Sequence, residues 1–303
     1  MRGSGVRRRC PRFARVADPF RDVEQHPTVG STNVDQQFTA DQVARALGVP
    51  DAHYLGTGSY GETWRVVRSG RDEAVKIIHV DGYDEERLRR EIEGYRRVSS
   101  PHVVELLDVQ VIEVAGQSRA AMTFQYVPGG DLQQTLLRSR AEEDELRGLA
   151  VGLLLGVDAL HTADLLHRDL KPANIALLDG DFARPVILDL GLTKLLDVES
   201  MTNYPARIGT PLYMAPEQLR QERALRASDL WAVAVVLYEA STGRHPYFSP
   251  SEFVTFAELL ARMQTPPGDM DGIPSDVARL ITKCLSPQPY RRGTVRKAIE
   301  MLS

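Results

Sequence analysis

The chain has 303 residues, of which 43% are hydrophobic and 26% are charged, as in soluble globular proteins. Its formal net charge of −4 gives no reason to expect binding to nucleic acid or to a bulk membrane surface. Two cysteines, Cys10 and Cys284, exclude a disulfide framework and favour a reducing, cytoplasmic compartment. The longest apolar stretches, 149–163 and 230–238, are too short to span a membrane, so we expect buried helices there.

Residues 1–38 differ in composition from the rest of the chain. Residues 1–21 contain seven arginines and one acid, Asp18, and they follow neither helical nor strand periodicity. We therefore expect residues 1–38 to be a disordered leader. An electrostatic tether, a targeting sequence and a mis-assigned start stay open as alternatives.

Ordered structure is expected to begin near Phe38 with a short helix. Thr39 and Gln42 fit a helix-capping box, and apolar residues follow at helical spacing until Gly48. The fragment resembles half of a helix-turn-helix, but no second helical pattern follows it. We therefore expect a helix that packs on the domain after it.

Alternating or β-branched runs come next and predict the strands of a small antiparallel sheet. These runs lie at 53–56, 63–68, 73–80, 105–114 and 119–126. A helical stretch at 84–98 interrupts them, with acids in its first turn and Leu88, Ile92 and Tyr95 on one face.

After Gly129-Gly130 the pattern becomes mainly helical to the end of the chain. The predicted helices lie at 131–139, 142–162, 227–242, 250–263, 275–285 and 294–302. Two regions of different structure are therefore expected, one rich in strands and one rich in helices.

The most informative motif is His-Arg-Asp-Leu-Lys-Pro-Ala-Asn at 167–174, followed by Asp189 in Asp-Leu-Gly. Asp169 can accept a hydroxyl proton, and Lys171 can offset charge on a transferring phosphoryl group. Asn174 and Asp189 offer the hard oxygen ligands that Mg²⁺ prefers. Together these groups suit the transfer of a phosphoryl group from a magnesium nucleotide to a hydroxyl.

A glycine-rich segment at 55–61 lies between the first two predicted strands. Its glycines, Gly56, Gly58 and Gly61, would let backbone amides approach phosphates closely. Dinucleotide-binding folds share this spacing, but there the motif opens a helix, whereas here it leads into a strand.

With Ala-Val-Lys at 74–76 and Ala-Pro-Glu at 215–217, these motifs resemble the eukaryotic-type protein serine/threonine kinase family. The resemblance covers roughly residues 52–303, and the compact domain looks like a stand-alone bacterial kinase. It implies an ATP- and Mg²⁺-dependent enzyme that phosphorylates Ser and Thr hydroxyls of protein substrates. A regulatory protein partner is expected too, because no sensor module follows the domain.

The resemblance also implies an α+β fold with two lobes. The small β-rich lobe would cover about 39–126, the hinge about 125–130 and the larger helical lobe about 131–303. With the short preceding helix, the kinase domain would span 39–303.

The resemblance assigns the ATP-binding and catalytic residues one by one. The ATP-binding set is Leu55, Gly56, Gly58, Gly61, Ala74, Lys76, Phe124, Gln125, Val127 and Asp189. Lys76 would hold the α- and β-phosphates and pair with Glu91, for which Glu93 is the weaker alternative. Phe124 would be the gatekeeper beside adenine, and Gln125 replaces the Glu that is usual in the hinge. Thr63 stands where the family prefers Val, which suggests an altered adenine pocket.

Arg168 precedes the expected base, and the Arg at this position in the family often binds a phosphorylated residue of the activation segment, which would run from Asp189 to Glu217. The phosphorylation candidates are Thr202, Ser200 and Thr210, and we expect Thr202 or Ser200 to be autophosphorylated. Thr210 and Lys171 match positions that favour Ser/Thr substrates over Tyr.

Several residues are expected to be structural. Glu217 would pair with Arg292, and Asp229 would anchor the turn at 167–169. A regulatory stack would consist of Tyr95, Leu106, His167 and Leu190.

Two alternatives share this fold. A small-molecule phosphotransferase usually lacks Ala-Pro-Glu and a long activation segment, and a pseudokinase scaffold usually lacks one of the chemical residues. Both features and all of Lys76, Asp169 and Asp189 are present, which favours the active protein kinase.

Overall fold

The structure, a computed structural model, describes residues 36–58, 60–78, 85–190, 210–249 and 255–302. These residues form a small lobe built on an antiparallel sheet and a larger, mainly helical lobe, which confirms the predicted fold class. In this part of the chain, no helix is both long and apolar enough to cross a membrane.

The small lobe begins with helix α1 (Ala40–Leu47), which lies where the sequence predicted it. Thr39 and Gln42 form a capping box, since the side chain of each accepts a hydrogen bond from the backbone N–H of the other. The apolar side of α1 covers one face of the sheet. The buried cluster between them consists of Phe38, Val43, Ala44, Ala52, Trp64, Val66, Val75, Ile77, Ile112, Val114 and Ala121.

The sheet of the small lobe has five strands within the described residues. They are β1 (Ala52–Gly58), β2 (Gly61–Arg68), β3 (Arg71–Ile78), β4 (Leu106–Val114) and β5 (Gln117–Gln125). Their order is β1-β2-β3-β5-β4, and each neighbouring pair is antiparallel. Helix α2 (Glu85–Arg97) precedes β4 and buries Leu88, Ile92 and Tyr95 in the core shared with the large lobe.

The large lobe is helical, as predicted, apart from one small sheet. Its described helices are α3 (Leu132–Leu136), α4 (Glu143–Thr162), α5 (Pro216–Leu219), α6 (Arg226–Thr242), α7 (Phe256–Arg262), α8 (Ser275–Cys284), α9 (Pro289–Arg292) and α10 (Val295–Glu300). Strands β6 (Ile175–Leu177) and β7 (Pro185–Ile187) pair antiparallel. The sequence did not predict these strands, because three residues are too few to show strand periodicity. The helix predicted at 250–263 begins at Phe256, and residues 250–254 lie outside the described residues.

Helix α4 lies directly against β7 and against His102, because three of its residues are glycines spaced four positions apart. They are Gly148, Gly152 and Gly156. A Cβ atom on Gly152 would lie 2.5 Å from the ring of Pro185, and one on Gly156 would lie 2.8 Å from the carbonyl oxygen of His102. The close contact therefore requires glycine. It fixes α4, whose C-terminal end leads into the motif at 167–174.

Candidate active site

The cleft between the lobes has a volume of about 720 Å³. It brings together most of the residues predicted to act chemically or to bind ATP. Those that line it are Leu55, Gly56, Gly58, Ala74, Lys76, Phe124, Gln125, Val127, Asp169, Lys171, Asn174 and Asp189. The remaining two, Gly61 and Glu91, are buried. Ala176 and Leu188 also line the cleft, and the sequence did not predict them because the short sheet went unrecognised.

The glycine-rich segment joins β1 to β2 above this cleft. A Cβ atom on Gly61 would lie 2.2 Å from the carbonyl oxygen of Ile77 on β3, a distance that no side chain can tolerate. Gly61 therefore lets β2 and β3 approach each other at the end of the loop.

Lys76 on β3 forms an ion pair with Asp189 and is almost fully buried. Burial disfavours the ammonium form, but the carboxylates of Asp189 and Glu91 outweigh this effect and raise the pKa of Lys76. Glu91 on α2 is itself only 2% exposed. Lys76 thus stays charged in the cleft and could bind an anionic group there.

Asp189 stays ionised for the reciprocal reason. Burial would raise the pKa of this carboxyl group, but the ammonium of Lys76 lowers it below its ordinary value. Its backbone has a φ of 45°, in the left-handed region. The N–H of Leu190, the next residue, donates to the hydroxyl of Tyr95 on α2 at 2.9 Å, which fixes this turn.

The turn at 167–169 is held by Asp229 on α6. One carboxylate oxygen accepts the N–H of His167 at 3.1 Å, and the other accepts the N–H of Arg168 at 2.9 Å. The imidazole Nε2 of His161 lies 2.8 Å from the same carboxylate. Arg168 has a φ of 66°, a conformation that residues other than glycine rarely adopt. The predicted anchoring role of Asp229 is confirmed by these contacts.

Asp169 is oriented by two neighbours in its own motif. Asn174 Nδ2 donates to the backbone carbonyl of Asp169 at 2.8 Å and to its Oδ2 at 3.1 Å. Lys171 Nζ lies 3.2 Å from the same Oδ2. Since Asn174 uses its amide nitrogen here, its Oδ1 is the atom left for a metal ion. An ionised Asp189 and an amide oxygen form a donor set that fits Mg²⁺.

The predicted hinge begins at the end of β5, where Phe124 and Gln125 are the last two residues of the strand. Phe124 is 7% exposed and packs edge-on against Tyr95, with ring centroids 5.0 Å apart. The N–H of Gln125 donates to the carbonyl of Glu105 at 3.0 Å, so the hinge is tied to the residue before β4.

Of the activation segment, the structure describes residues 189–190 and 210–217. Ser200 and Thr202 lie outside the described residues, and Thr210 begins a 3₁₀ turn at Thr210–Tyr213. Helix α5 follows, and its Glu217 pairs with Arg292, as predicted.

Two residues with a clear structural role were not singled out by the sequence. The side chain of Gln218 bonds to Ala215 and to Arg168. His245 Nε2 lies 3.0 Å from the carbonyl oxygen of Leu212 in the 3₁₀ turn, and its Nδ1 accepts the N–H of Tyr247 at 3.2 Å. Both bind backbone atoms, which leave no residue-type signal in the sequence.

Comparison with known proteins agrees with this geometry. Residues 50–302 match the family described as "Protein kinase domain". The chain is 35% identical over 257 residues to the "Probable serine/threonine-protein kinase PkwA" of Thermomonospora curvata, an alignment that covers 82% of this chain and 33% of that protein. It is 32% identical over 250 residues to "Serine/threonine-protein kinase SAPK3" of Oryza sativa subsp. indica, covering 80% and 72%.

A third relative is the "Probable serine/threonine-protein kinase PknB" of Corynebacterium glutamicum, at 29% identity over 224 residues, covering 71% of this chain and 34% of that protein. The chain thus spans about a third of the length of two of these three relatives. The family match over residues 50–302 covers most of the chain and is decisive. The chain belongs to the protein kinase family and is a protein serine/threonine kinase.

Proposed function

We propose that this kinase transfers the γ-phosphoryl group of ATP to Ser and Thr hydroxyls of protein substrates with Mg²⁺, and that it phosphorylates its own activation segment. One observation carries the proposal. A single cleft is lined by Lys76, Asp169, Asn174 and Asp189. Within it, Lys76 pairs with Asp189, and Asn174 donates to Asp169. We further propose that it acts in the cytoplasm and responds to a regulatory protein partner.

The nucleotide would lie under the glycine-rich segment. Leu55, Ala74 and Val127 would cover the adenine, and the carbonyl of Gln125 would accept a hydrogen bond from it, because the N–H of Gln125 already has a partner. Lys76, supported by Glu91, would bind the α- and β-phosphates. The amides next to Gly56 and Gly58 would approach the phosphates and help to exclude water.

The oxygens of Asn174 and Asp189 would hold Mg²⁺, which would offset the charge of the phosphates. Asp169 would accept the proton of the substrate hydroxyl while the hydroxyl oxygen attacks the γ-phosphorus. The bond from the γ-phosphorus to the β–γ bridging oxygen would break, and ADP would leave. Because Asn174 and Lys171 both bind Oδ2 of Asp169, the carboxylate is held in one orientation before the substrate arrives. Lys171 would then offset the charge that develops on the phosphoryl group.

A second cleft supports autophosphorylation at Thr202 or Ser200. Five arginines line it, against two acids, Glu93 and Asp164. The arginines are Arg90, Arg97, Arg168, Arg223 and Arg226. Such an excess of guanidinium groups suits a phosphate, because each can donate two parallel hydrogen bonds to it. Thr210 and Lys171 would favour hydroxyls of Ser and Thr as acceptors.

The test is incubation of the purified chain with γ-labelled ATP and Mg²⁺, alone and with a generic protein substrate, beside Asp169→Asn. We expect label on the wild type only, mapped to Thr202 or Ser200 within the chain. Asp169→Asn should still show a nucleotide-induced rise in melting temperature, since Asp169 does not bind the adenine or the α-phosphate. Equal transfer by both proteins would refute the assignment of Asp169 as the base.

A further inference from the structure

The peptide groups around Asp169 are held from several sides. Asp229 binds the N–H groups of His167 and Arg168, and Asn174 donates to the carbonyl of Asp169. Between them lies the carbonyl of Arg168, which belongs to the peptide unit that carries the nitrogen of Asp169. The orientation of this peptide unit sets the position of the Cα atom of Asp169 and the direction in which its side chain extends.

That carbonyl is bound by Gln218 on α5. Gln218 Nε2 donates to the oxygen of Arg168 at 2.9 Å, across 50 positions of sequence. The Oε1 of the same side chain accepts the N–H of Ala215 at 3.1 Å. Gln218 is 5% exposed, so water does not compete strongly for either bond.

The backbone conformation of Arg168 makes this contact matter. Its φ of 66° is unfavourable for a residue with a side chain, and such a conformation persists only where the surroundings hold it. Asp229 holds the N–H of Arg168, and Gln218 holds its carbonyl. Without the Gln218 bond, this peptide unit keeps the longer bond from the N–H of Asp169 to Nδ1 of His167, at 3.3 Å. We therefore expect the strained residue to relax and the peptide unit before Asp169 to rotate more easily.

We infer that Gln218 is a positioning residue for Asp169, and that it links the geometry of the base to the end of the activation segment. One end of the side chain binds Ala215, which closes that segment, and the other end binds the residue before the base. The segment thus has to be in place at Ala215 for Gln218 to hold Arg168. This inference rests on the proposed role of Asp169.

The test compares Gln218→Glu with Gln218→Met across pH 5.5–8. Glutamate keeps the size and the acceptor for Ala215, but its carboxylate cannot donate to the carbonyl of Arg168. At pH 8 we expect kcat to fall about tenfold, which corresponds to about 1.4 kcal/mol of lost transition-state stabilisation. Burial raises the pKa of a carboxyl group, so Gln218→Glu regains a donor as the pH falls. Its kcat relative to the wild type should then recover.

Gln218→Met cannot donate at any pH, so its kcat relative to the wild type should stay low throughout. The KM for ATP should change little in both variants, because Gln218 does not line the cleft proposed to hold ATP. Gln221→Glu adds the same charge at an exposed site nearby and should leave kcat and its pH profile unchanged. Melting temperatures with and without nucleotide show that each variant is folded.

Wild-type kcat in both Gln218 variants would overturn the inference. So would an equal, pH-independent loss in both, accompanied by lower melting temperatures, since that is the signature of a purely structural residue. Asp169→Asn, measured in parallel, separates the two proposals. If it retains activity, the proposed function fails, whereas an inactive Asp169→Asn beside fully active Gln218 variants refutes only the inference.

Discussion

Arg292 donates two hydrogen bonds to Glu217, from Nη1 to Oε1 at 2.6 Å and from Nη2 to Oε2 at 2.9 Å. The two residues are 75 positions apart, and both side chains are almost completely excluded from solvent. Ser228 also donates to Glu217 at 2.7 Å, and Arg292 Nε donates to the carbonyl of Ser286 at 2.8 Å. The pair therefore joins the end of the activation segment to the last helices of the large lobe.

Removing one partner of this pair should be strongly destabilising. We expect Arg292→Ala to lower the free energy of unfolding by about 3–5 kcal/mol, because it leaves the Glu217 carboxylate buried without its cation. Urea denaturation at pH 7.5 measures the loss. Arg291→Ala changes an exposed neighbour and should cost less than about 0.5 kcal/mol. Similar midpoints for the two variants would contradict this account of the pair.

Lys76→Met should remove most phosphotransfer. Methionine fills a similar volume but offers no charge to the phosphates, so we expect the rate to fall by about 100-fold or more. Steady-state assays with labelled ATP measure this effect. Lys297→Met, an exposed substitution in α10, controls for the loss of a lysine. An unchanged rate in Lys76→Met would show that another group binds the phosphates.

His245 should make the stability of the kinase fall in acid. Burial lowers the pKa of His245 to about 4, below the value of 6.5 for an exposed histidine. Between these values the unfolded chain binds a proton that the folded chain does not, so stability decreases as the pH falls through this window. The contribution of His245 to the free energy of unfolding should be lower at pH 5 than at pH 7.5, by about 2 kcal/mol at most.

The comparison for this prediction is His245→Gln, whose amide can still donate to the carbonyl of Leu212 but does not titrate. Urea denaturation at pH 7.5 and pH 5 gives the difference in unfolding free energy for each protein. The wild type should lose more stability than His245→Gln over this interval. Parallel losses would mean that His245 is protonated in the folded protein.

Helix α1 should contribute to stability although it lies outside the matched kinase family region. Deleting residues 1–48 removes Phe38 and Val43 and exposes Trp64, which are all buried in the cluster on the sheet. Burial of each large apolar side chain is worth about 1.5–3 kcal/mol, so we expect a loss of about 3 kcal/mol or more. Deletion of residues 1–35 removes none of the residues named in this cluster and serves as the control. Equal melting temperatures for the two truncated proteins would refute the prediction.

The sequence predicted a cluster of polar residues that lies in one cleft, because the motif places those residue types at fixed spacing. Asp169, Lys171 and Asn174 lie within one short turn, so their proximity follows from the chain itself. The predicted pair of Glu217 with Arg292 also formed, although it spans two distant segments. Resemblance to a family supplied that pairing, since nothing local in the sequence indicates it.

Contacts to backbone atoms could not be predicted in the same way. Gln218 binds the carbonyl of Arg168, and His245 binds the carbonyl of Leu212, and any residue at those partner positions would present the same atom. The packing role of the glycines in α4 could not be predicted either, because three glycines in a helical sequence indicate only a lower helix propensity. The structure shows their role, because β7 packs directly against these glycines.

The absence of side chains at Gly148, Gly152 and Gly156 sets how closely α4 packs against the neighbouring segments of the large lobe. Any methyl group there would be a spacer, pushing α4 outward from Ala183, Pro185 and His102. Asp189 follows β7, and the motif at 167–174 follows α4, so a methyl group there would increase the distance between Asp169, the proposed base, and Asp189, the proposed metal ligand. Alanine, which normally strengthens a helix, should therefore damage catalysis at Gly152, where intrinsic helix propensity and the width of the site oppose each other.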